Sequence, residues 1–473
     1  MSAHAARPVV PAGLQAAPAR RQAAPARRQA APARRTLLRT GLVSAAVLAS
    51  AGLTACTDNP SASGGSDGGG GASADGPITV TITDDGCELS STEFPAGQVT
   101  FAVTNTGSAP NEFEILADDK LRIITEKENI GPGTSVDVTT ALPEGEYYAA
   151  CKPNMVGELK GVTKLTVTQG EGGAVDEDTA KLEADAITIY TAYIKDQVGQ
   201  QVTATREFTD AYIGGNVEQA KALFPQARRF YERIEPTAEA FGIEEAGDLD
   251  AALDLRIQDL AADAGKSVTD PEVLAEWTGW HRIEADLFSA NEAFRFPDDA
   301  SRQKIAEQLN TDTQTLYDLV YGKIKGAGGK FEVTLADVVQ GAAGLMNEVA
   351  TGKIVGEEDT FSHTDLDDFQ ANVEGSKVAW GNVEELVKAK DADLVETIEK
   401  QFDDVQAELD KHKDGTTPDG GPRFVDYSTI AAVQKDAGEA PGDADYTEAQ
   451  RAISTTVNAL AESLSKIAGL ILH

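Results

Sequence analysis

The sequence predicts a small β-sandwich followed by a larger all-helical domain, and three observations support this fold class. Between residues 77 and 170, apolar and polar residues alternate in short runs separated by glycine and proline, which is typical of β-strands. From residue 178 to residue 473, apolar residues recur every three or four positions, which is typical of amphipathic helices. The length of 473 residues also favours two domains behind a leader over a single domain.

Residues 1–55 have the composition of an export signal. A repeat of Ala-Ala-Pro-Ala-Arg-Arg precedes a short apolar run at 41–53 and then the box Leu53-Thr54-Ala55-Cys56. A basic region followed by a short apolar core and small residues is a secretory signal, and it is too short to span a membrane. The adjacent arginines resemble a twin-arginine export signal. The box resembles a bacterial lipoprotein cleavage site, which would make Cys56 the lipid anchor; an ordinary cleaved signal with an accidental cysteine is the alternative.

Residues 56–76 are predicted to be a flexible linker. Segment 59–74 is rich in serine, glycine and aspartate, so it cannot bury enough apolar surface to fold by itself. Together with a lipid on Cys56, this tether would hold the folded domains at the outer face of the cytoplasmic membrane.

The net charge restricts the classes of partner. The formal net charge is −36 at pH 7, and the leader contributes arginines but no acidic residues, so the mature chain is more acidic still. This balance argues against nucleic acid as a partner and favours attraction of cations. It does not identify a cation site, because most acidic residues of such a chain form a solvated surface.

The β domain is predicted from five alternating runs of apolar residues, which indicate an antiparallel sandwich. Their apolar positions are Ile78, Val80, Ile82, Val99, Phe101, Val103, Val136, Val138, Tyr147, Ala149, Leu165 and Val167. Segment 142–151 resembles the cupredoxin strand that ends in a copper-binding cysteine, here Cys151. A blue-copper centre also needs two histidines. The chain has no histidine between His4 and His281, so that centre is excluded from this domain.

Cys87 and Cys151 allow two interpretations. A disulfide is the default for two cysteines in an exported domain, because an oxidising compartment does not preserve free thiols without a reason, and we favour it. Alternatively, the two thiolates ligate a metal ion together with a glutamate such as Glu112.

The helical domain is predicted to begin with a long amphipathic helix. Ile189, Tyr193, Val202 and Tyr212 mark its apolar stripe, and Gly214 and Gly215 end it. The last helix, at 446–472, has an apolar stripe that predicts core packing in a bundle. That stripe consists of Ile453, Val457, Leu460, Leu464 and Ile467.

Two pairs of polar residues in this domain have ligand spacing. On a helix, His281 and Glu284 point from one face and could share a metal ion, as could Glu232 and Glu235. A protein-bound transition metal usually takes at least three ligands, so neither pair makes a site alone. The alternatives are a histidine hydrogen-bonded to its neighbouring glutamate and two acidic residues on the surface.

Three segments together resemble the imelysin family, and they lie behind a cupredoxin-like domain. They are the motif Gly279-x-His281-x-x-Glu284, residues 231–236, and residues 357–375. The resemblance implies an exported iron-binding protein that takes ferrous or ferric iron, with zinc also accepted and copper less favoured. It implies delivery to two partners, a haem peroxidase of the dye-decolourising type and a ferric permease in the membrane.

The resemblance also implies site residues. In the helical domain it implies that the following residues ligate the metal ion or support its ligands: His281, Glu284, Glu232, Glu235, Asp359, His363 and Asp365. In the β domain it points to Cys87, Glu112 and Cys151 as positions of a second metal site.

Two other classes compete with an iron-binding protein. A zinc metallopeptidase of the zincin type has two histidines one helical turn apart with a glutamate between them, and here position 285 is Ala285. A scaffold lipoprotein would carry its acidic segments only as surface. We expect a binding protein and not an enzyme; stoichiometric iron binding and a peptide-cleavage assay with zinc discriminate the three classes.

The lipoprotein box generates a first prediction. Replacing the thiol in Cys56→Ser removes the atom that would carry the lipid, so the variant should appear in the culture supernatant without lipid mass. Fractionation and intact-mass spectrometry of the variant beside the wild-type chain measure this. Equal solubility of the two proteins would contradict the anchor.

Overall fold

The computed structural model describes residues 76–118, 120, 123–154, 159–170, 176–238, 242–243, 247–326, 329–417, 420–434 and 440–473. The predicted leader and Cys56 lie outside these residues, as does all of the predicted linker except its last residue. A nine-stranded β domain precedes a helical domain, which confirms the predicted fold class. Among the described helices, none combines the length and apolar composition that crossing a membrane requires.

The β domain is a sandwich of two sheets. One sheet has the strand order β2-β1-β4-β7 and the other has β3-β9-β8-β5-β6. The strands are β1 Ile78–Thr83, β2 Gly86–Leu89, β3 Glu93–Pro95, β4 Gly97–Asn105, β5 Asn111–Leu116, β6 Ile123–Ile130, β7 Ser135–Leu142, β8 Gly145–Pro153 and β9 Lys160–Thr168. Val80, Phe101 and Leu165 are fully buried between the sheets, as the alternating pattern predicts.

The sandwich is mixed, so the prediction of a purely antiparallel one was wrong. Strand β1 pairs with β4 in parallel, and β3 pairs with β9 in parallel. Parallel neighbours need a crossover connection, and β1 and β4 have one because the chain passes through β2 and β3 between them. Periodicity alone does not record strand direction.

Strand β5 was not predicted, although Glu112, Phe113, Glu114 and Ile115 alternate between polar and apolar residues. All six of its residues are buried. Phe113 and Ile115 belong to the sandwich core, whereas Glu112 and Glu114 lie on the opposite face, where they are 3% exposed. A strand with a buried polar face needs cover on that side, and the helical domain supplies it.

Cys87 and Cys151 form a disulfide that joins β2 of one sheet to β8 of the other, with their Cα atoms 5.9 Å apart. The favoured interpretation of the two cysteines is therefore confirmed. Sulfurs bonded to each other are not thiolates, so the alternative in which both cysteines ligate a metal with Glu112 does not hold in this structure.

The helical domain contains thirteen described α-helices and two short two-stranded sheets. The helices are α1 Glu177–Ile213, α2 Val217–Glu232, α3 Glu235–Ala238, α4 Leu249–Asp254, α5 Ile257–Ala264, α6 Pro271–Glu276, α7 Gly279–Phe288, α8 Asp299–Val320, α9 Leu335–Thr351, α10 Asp365–Lys388, α11 Ala392–Asp410, α12 Glu448–Ser465 and α13 Ile467–Ile471. The short sheets pair β10 Gly242–Ile243 with β11 Gly247–Asp248, and β12 Lys413–Thr416 with β13 Pro422–Phe424.

Helix α1 ends before Gly214, as predicted. It begins at the Asp176 cap, and its buried stripe differs from the predicted one. Ile189 is 56% exposed, whereas Tyr190, Ile194 and Val198 are fully buried. The apolar residues of α1 lie on more than one face, so the sequence allowed two stripes and the neighbouring helices decide between them. In α12 and α13 the predicted stripe is buried throughout.

The two domains contact each other through several polar and apolar groups. The side-chain amide of Gln98 in β4 donates to the carbonyl oxygens of Ala468 and Leu472, at 3.1 Å each. On the other side, Lys127 of β6 donates to Asn347 of α9. Strand β6 therefore lies against the helical domain, and Glu112 of β5 lines a cavity that helical-domain residues also line.

The disulfide generates a second prediction. The double variant Cys87→Ser/Cys151→Ser frees the unfolded chain from a cross-link, so the free energy of unfolding should fall by about 2–4 kcal/mol. Urea denaturation of the variant and the wild-type chain measures this. As a control, alkylation of the wild-type chain without reductant should label neither cysteine; labelling of both would contradict the bridge.

Candidate metal centre

Arg228 is a fully buried cation of the helical domain. Its side chain has no solvent exposure, and its guanidinium forms ion pairs with Glu232, Asp254 and Glu358, the last at 2.9 Å. The carboxylates of Asp359 and Asp368 each lie 3.8 Å from its Nε. Five carboxylates from four separate segments thus converge on one cation, which holds these segments together.

His281 reaches this cluster because helix α7 begins at a glycine. Gly279 has φ +83°, and a Cβ at this position would lie 2.1 Å from the carbonyl oxygen of Leu253. Only glycine allows α7 to begin so close to the end of α4 in this conformation. The close approach brings His281 next to Asp254, the residue that follows Leu253.

The two ring nitrogens of His281 face different groups. Nδ1 donates to Oε2 of Glu284 at 2.9 Å, whereas Nε2 lies 3.2 Å from Asp254 Oδ1 and 3.3 Å from Glu358 Oε1. The other oxygen of Glu284 accepts hydrogen bonds from the backbone N–H groups of Phe361 and Ser362. The structure thus contains the His–Glu hydrogen bond that was the alternative to shared metal ligation. Such a carboxylate commonly orients a metal-binding imidazole through its second nitrogen.

Glu232 and Glu235 converge although the helix breaks between them. Pro236 has no N–H group to donate to the carbonyl oxygen of Glu232, so α2 ends there. The side-chain amide of Asn372 donates to that carbonyl oxygen instead, at 2.8 Å. Beyond the break, Glu235 still reaches the same cation as Glu232: Nζ of Lys353 donates to the two carboxylates at 2.6 and 2.7 Å.

Among the residues that the structure describes, three groups of side chains could each hold a metal ion, because their donor atoms lie within 4.8 Å of one another. They are Asp254 with His281 and Glu358; His281 with Glu284 and Asp359; and Glu232 with Glu235, Asp254 and Glu358. We refer to these seven residues as the candidate centre. Carboxylates with one imidazole are ligands suited to iron, manganese and zinc, and they lack the sulfur that favours copper(I).

Burial governs the protonation of the centre. It raises the pKa of Glu235 well above its ordinary value, with a further contribution from Glu232, and it raises the pKa of Asp359 to about 7. Burial and Arg228 lower the pKa of His281, but Asp254 and Glu284 outweigh them and hold that pKa well above its ordinary value. Protons and protein cations therefore balance the carboxylates when no metal ion is bound.

Several carboxylate oxygens beside the centre lack hydrogen-bond partners among the described residues. They are Oδ1 of Asp359, Oδ2 of Asp365 and both oxygens of Asp368, and all three side chains are fully buried. A buried acceptor without a donor is costly, so such atoms are found where a ligand, a proton or a cation completes the site.

The structure brings together five of the seven residues predicted for the helical domain: His281, Glu284, Glu232, Glu235 and Asp359. Asp365 is adjacent to them, since its Oδ1 lies 3.4 Å from the backbone nitrogen of Asp359. His363 belongs to none of the donor groups. It has φ 55° and lines a different cavity of about 310 Å³, together with Phe288 and Ser428.

Five residues of the site were not predicted. Asp254 is in no motif, and Glu358 and Asp368 stood inside the quoted segment 357–375 without being selected. Arg228 precedes Glu232 by four residues, which is the spacing of a helical ion pair and was an available signal. Nothing in the local sequence identifies Lys353.

A cavity of about 240 Å³ lies between the domains, and we call it the interdomain cavity. Its β-domain wall includes Glu112, Glu126, Glu128 and Lys152. From the helical domain it is lined, among others, by Glu235, Asp254, Arg256, Glu348, Lys353, Glu357 and Glu358. Carboxylates predominate on both walls. The predicted β-domain residue Glu112 thus faces this cavity and not the disulfide.

Comparisons with known proteins agree with this architecture. The imelysin family profile matches residues 186–467, and a cupredoxin-like domain profile matches residues 44–167. The chain is 34% identical to the iron uptake system component EfeO of Escherichia coli strain K12, over 83% of this chain and 91% of the relative, and equally to that of Shigella flexneri. A crystal structure of an iron-regulated protein A precursor from Parabacteroides distasonis covers 64% of this chain and 97% of its own, with a TM-score of 0.43 and 17% identity. That structural likeness is too weak to carry a conclusion.

Gly279 generates a third prediction. In Gly279→Ala the new Cβ meets the Leu253 carbonyl in a backbone conformation that alanine rarely adopts. The free energy of unfolding should therefore fall by at least about 1–3 kcal/mol. Urea denaturation followed by far-UV circular dichroism measures it. The matched control is Gly381→Ala in α10, where a Cβ meets open space and should be neutral or stabilising by about 0.5–1 kcal/mol. Equal losses in the two variants would contradict this role of Gly279.

Proposed function

The chain belongs to the imelysin family and has the two-domain organisation of the EfeO iron uptake components. From this premise we propose that its helical domain captures iron at the candidate centre and releases it to an uptake system. The observation that carries the proposal is the convergence of His281, Asp254 and Glu358 with Glu232 and Glu235 in a buried site. Relatives named as iron uptake components support an iron uptake role for this chain.

In this proposal Nε2 of His281 faces the metal ion, and Glu284 orients the ring through Nδ1. Asp254 and Glu358 would be the nearest carboxylate ligands, since each lies within 3.3 Å of Nε2. Glu232 and Glu235 would complete the ligand set from the side of Lys353. Asp359, Asp365 and Asp368 would support it with buried oxygens that accept no hydrogen bond from the described residues.

The ligand set suits a protein that transports iron as cargo. Oxygen ligands with one imidazole accept ferrous or ferric iron and also zinc. A structural zinc site is closed by four protein ligands, often thiolates. The candidate centre instead has carboxylates that also form ion pairs with Arg228 and Lys353. Because the protein cations can again neutralise the carboxylates when the metal leaves, release does not expose unbalanced charge.

The route of delivery follows from the resemblance. We infer that the partners are a haem peroxidase of the dye-decolourising type and a ferric permease in the membrane. A lipid on Cys56 and the segment at 56–76 would keep the protein close to such a permease at the outer face of the cytoplasmic membrane. His363 is left without a ligand role in this proposal.

The β domain would serve docking or delivery. It has no histidine, and its two cysteines are bonded to each other, so it lacks the ligands of a blue-copper centre. Its polar face, with Glu112 and Glu114, instead forms part of the boundary with the helical domain.

A binding function, and not peptide hydrolysis, is what we propose. The relatives are named as uptake components and not as enzymes. The centre contains a single histidine, whereas a zincin site requires two. Cleavage of a peptide library by the zinc-loaded chain, lost in Glu284→Gln, would favour the peptidase instead.

The centre generates a fourth prediction. His281→Ala removes the only imidazole of the donor groups, so the affinity of the mature chain for ferrous iron should fall at least tenfold in anaerobic calorimetry, and Glu232→Gln should weaken it as well. The matched control is His473→Ala, because His473 is 38% exposed and pairs with Glu183 away from the centre. Unchanged binding in His281→Ala, or equal loss in His473→Ala, would remove the centre as the iron site.

A further inference from the structure

Lys353 is a buried cation among the carboxylates of the candidate centre, and metal binding by these carboxylates does not itself require it. It follows the end of α9, and its side chain is 4% exposed. Its Nζ donates to Glu232 and Glu235 at 2.7 and 2.6 Å and lies 3.7 Å from Oε2 of Glu358. All three of these carboxylates belong to one donor group, so the ammonium stands where that group would hold a metal ion.

Lys353 and Arg228 differ in their access to the interdomain cavity. Lys353 lines this cavity together with Glu235, Asp254 and Glu358, whereas Arg228 is not among its lining residues. A cation that enters through the cavity therefore meets the Lys353 ammonium at the donor group and does not meet the guanidinium. Arg228 is a fixed counterion, but Lys353 stands at the entrance.

The surroundings of Lys353 include a place for its ammonium to move. Oε2 of Glu348 lies 3.9 Å from Nζ and has no hydrogen-bond partner among the described residues. The carboxylate of Glu357 lines the same cavity. A lysine side chain is flexible, so Nζ can leave Glu232 and Glu235 and remain paired.

We propose that Lys353 is a tethered competitor for the metal ion: its ammonium occupies the donor group in the unloaded protein and moves into the interdomain cavity when a divalent cation enters. The inference rests on the proposed function, because it assumes that the donor group binds metal. Lys353 then lowers the affinity of the site and speeds release, since the ammonium returns to the carboxylates as the metal ion leaves.

The test compares Lys353→Met with the wild-type chain and uses zinc and, under anaerobic conditions, ferrous iron as probes. Methionine keeps the length of the side chain and removes its charge. We expect the variant to bind zinc about tenfold more tightly or better, because a charge beside the ligands is gone. Release to a chelator, followed by stopped flow, should be slower by a similar factor. The matched control is Lys127→Met, which removes a half-buried charge at the domain boundary outside the cavity lining and should leave both measurements unchanged.

A second variant covers the case in which Lys353→Met does not fold without its charge. Lys353→Ala leaves space for a small cation, so added ethylammonium should restore the folded state and weaken zinc binding competitively, with no such competition in the wild-type chain.

The outcomes separate the two proposals. A wild-type chain that binds neither zinc nor ferrous iron contradicts the proposed function. Wild-type binding together with equal or weaker binding by Lys353→Met, or zinc binding by Lys353→Ala that ethylammonium does not weaken, contradicts the role of Lys353 alone.

Discussion

A guanidinium without solvent exposure is costly unless carboxylates surround it, and the carboxylates around Arg228 would repel one another without it. Each side of this pairing therefore requires the other. Glu232, Asp254, Glu358 and Asp368 come from four separate segments, and their common dependence on Arg228 fixes where these segments meet. His281 joins this arrangement because its Nε2 lies 3.2 Å from Asp254 and 3.3 Å from Glu358.

The sequence was sufficient for the parts of the structure that depend on periodicity and on local motifs. Alternation identified β1, β4 and β9, and the stripe of α12 was buried as predicted because one face carried nearly all of its apolar residues. His281 and Glu284 could be found because both ligand positions lie within one helical turn. Ile189 shows what apolar periodicity cannot predict. Where the apolar residues of a helix occupy two faces, only the neighbouring helices decide which face is buried.

The rest of the site depends on tertiary contacts that leave no local signal. Asp254 is at the end of a short helix, and its proximity to His281 follows from the contact between Gly279 and Leu253. Lys353 lies in a three-residue 3₁₀ helix, which is too short to show a periodic pattern of apolar residues. His363 illustrates the converse, because it shares a segment with Asp359 but its positive φ turns the chain towards a different cavity.

The buried face of β5 also changes the medium in which the helical domain operates. With the β domain in place, Glu112 and its neighbours form one wall of the interdomain cavity, and on the facing wall the side chains of Lys353 and Glu348 are 4% and 12% exposed. Attraction and repulsion between charges are several times stronger among such buried groups than in water. The β domain lacks the metal ligands of a cupredoxin, but it can still strengthen the electrostatic forces in the helical domain by burying charged groups. It does so without contacting the metal ion.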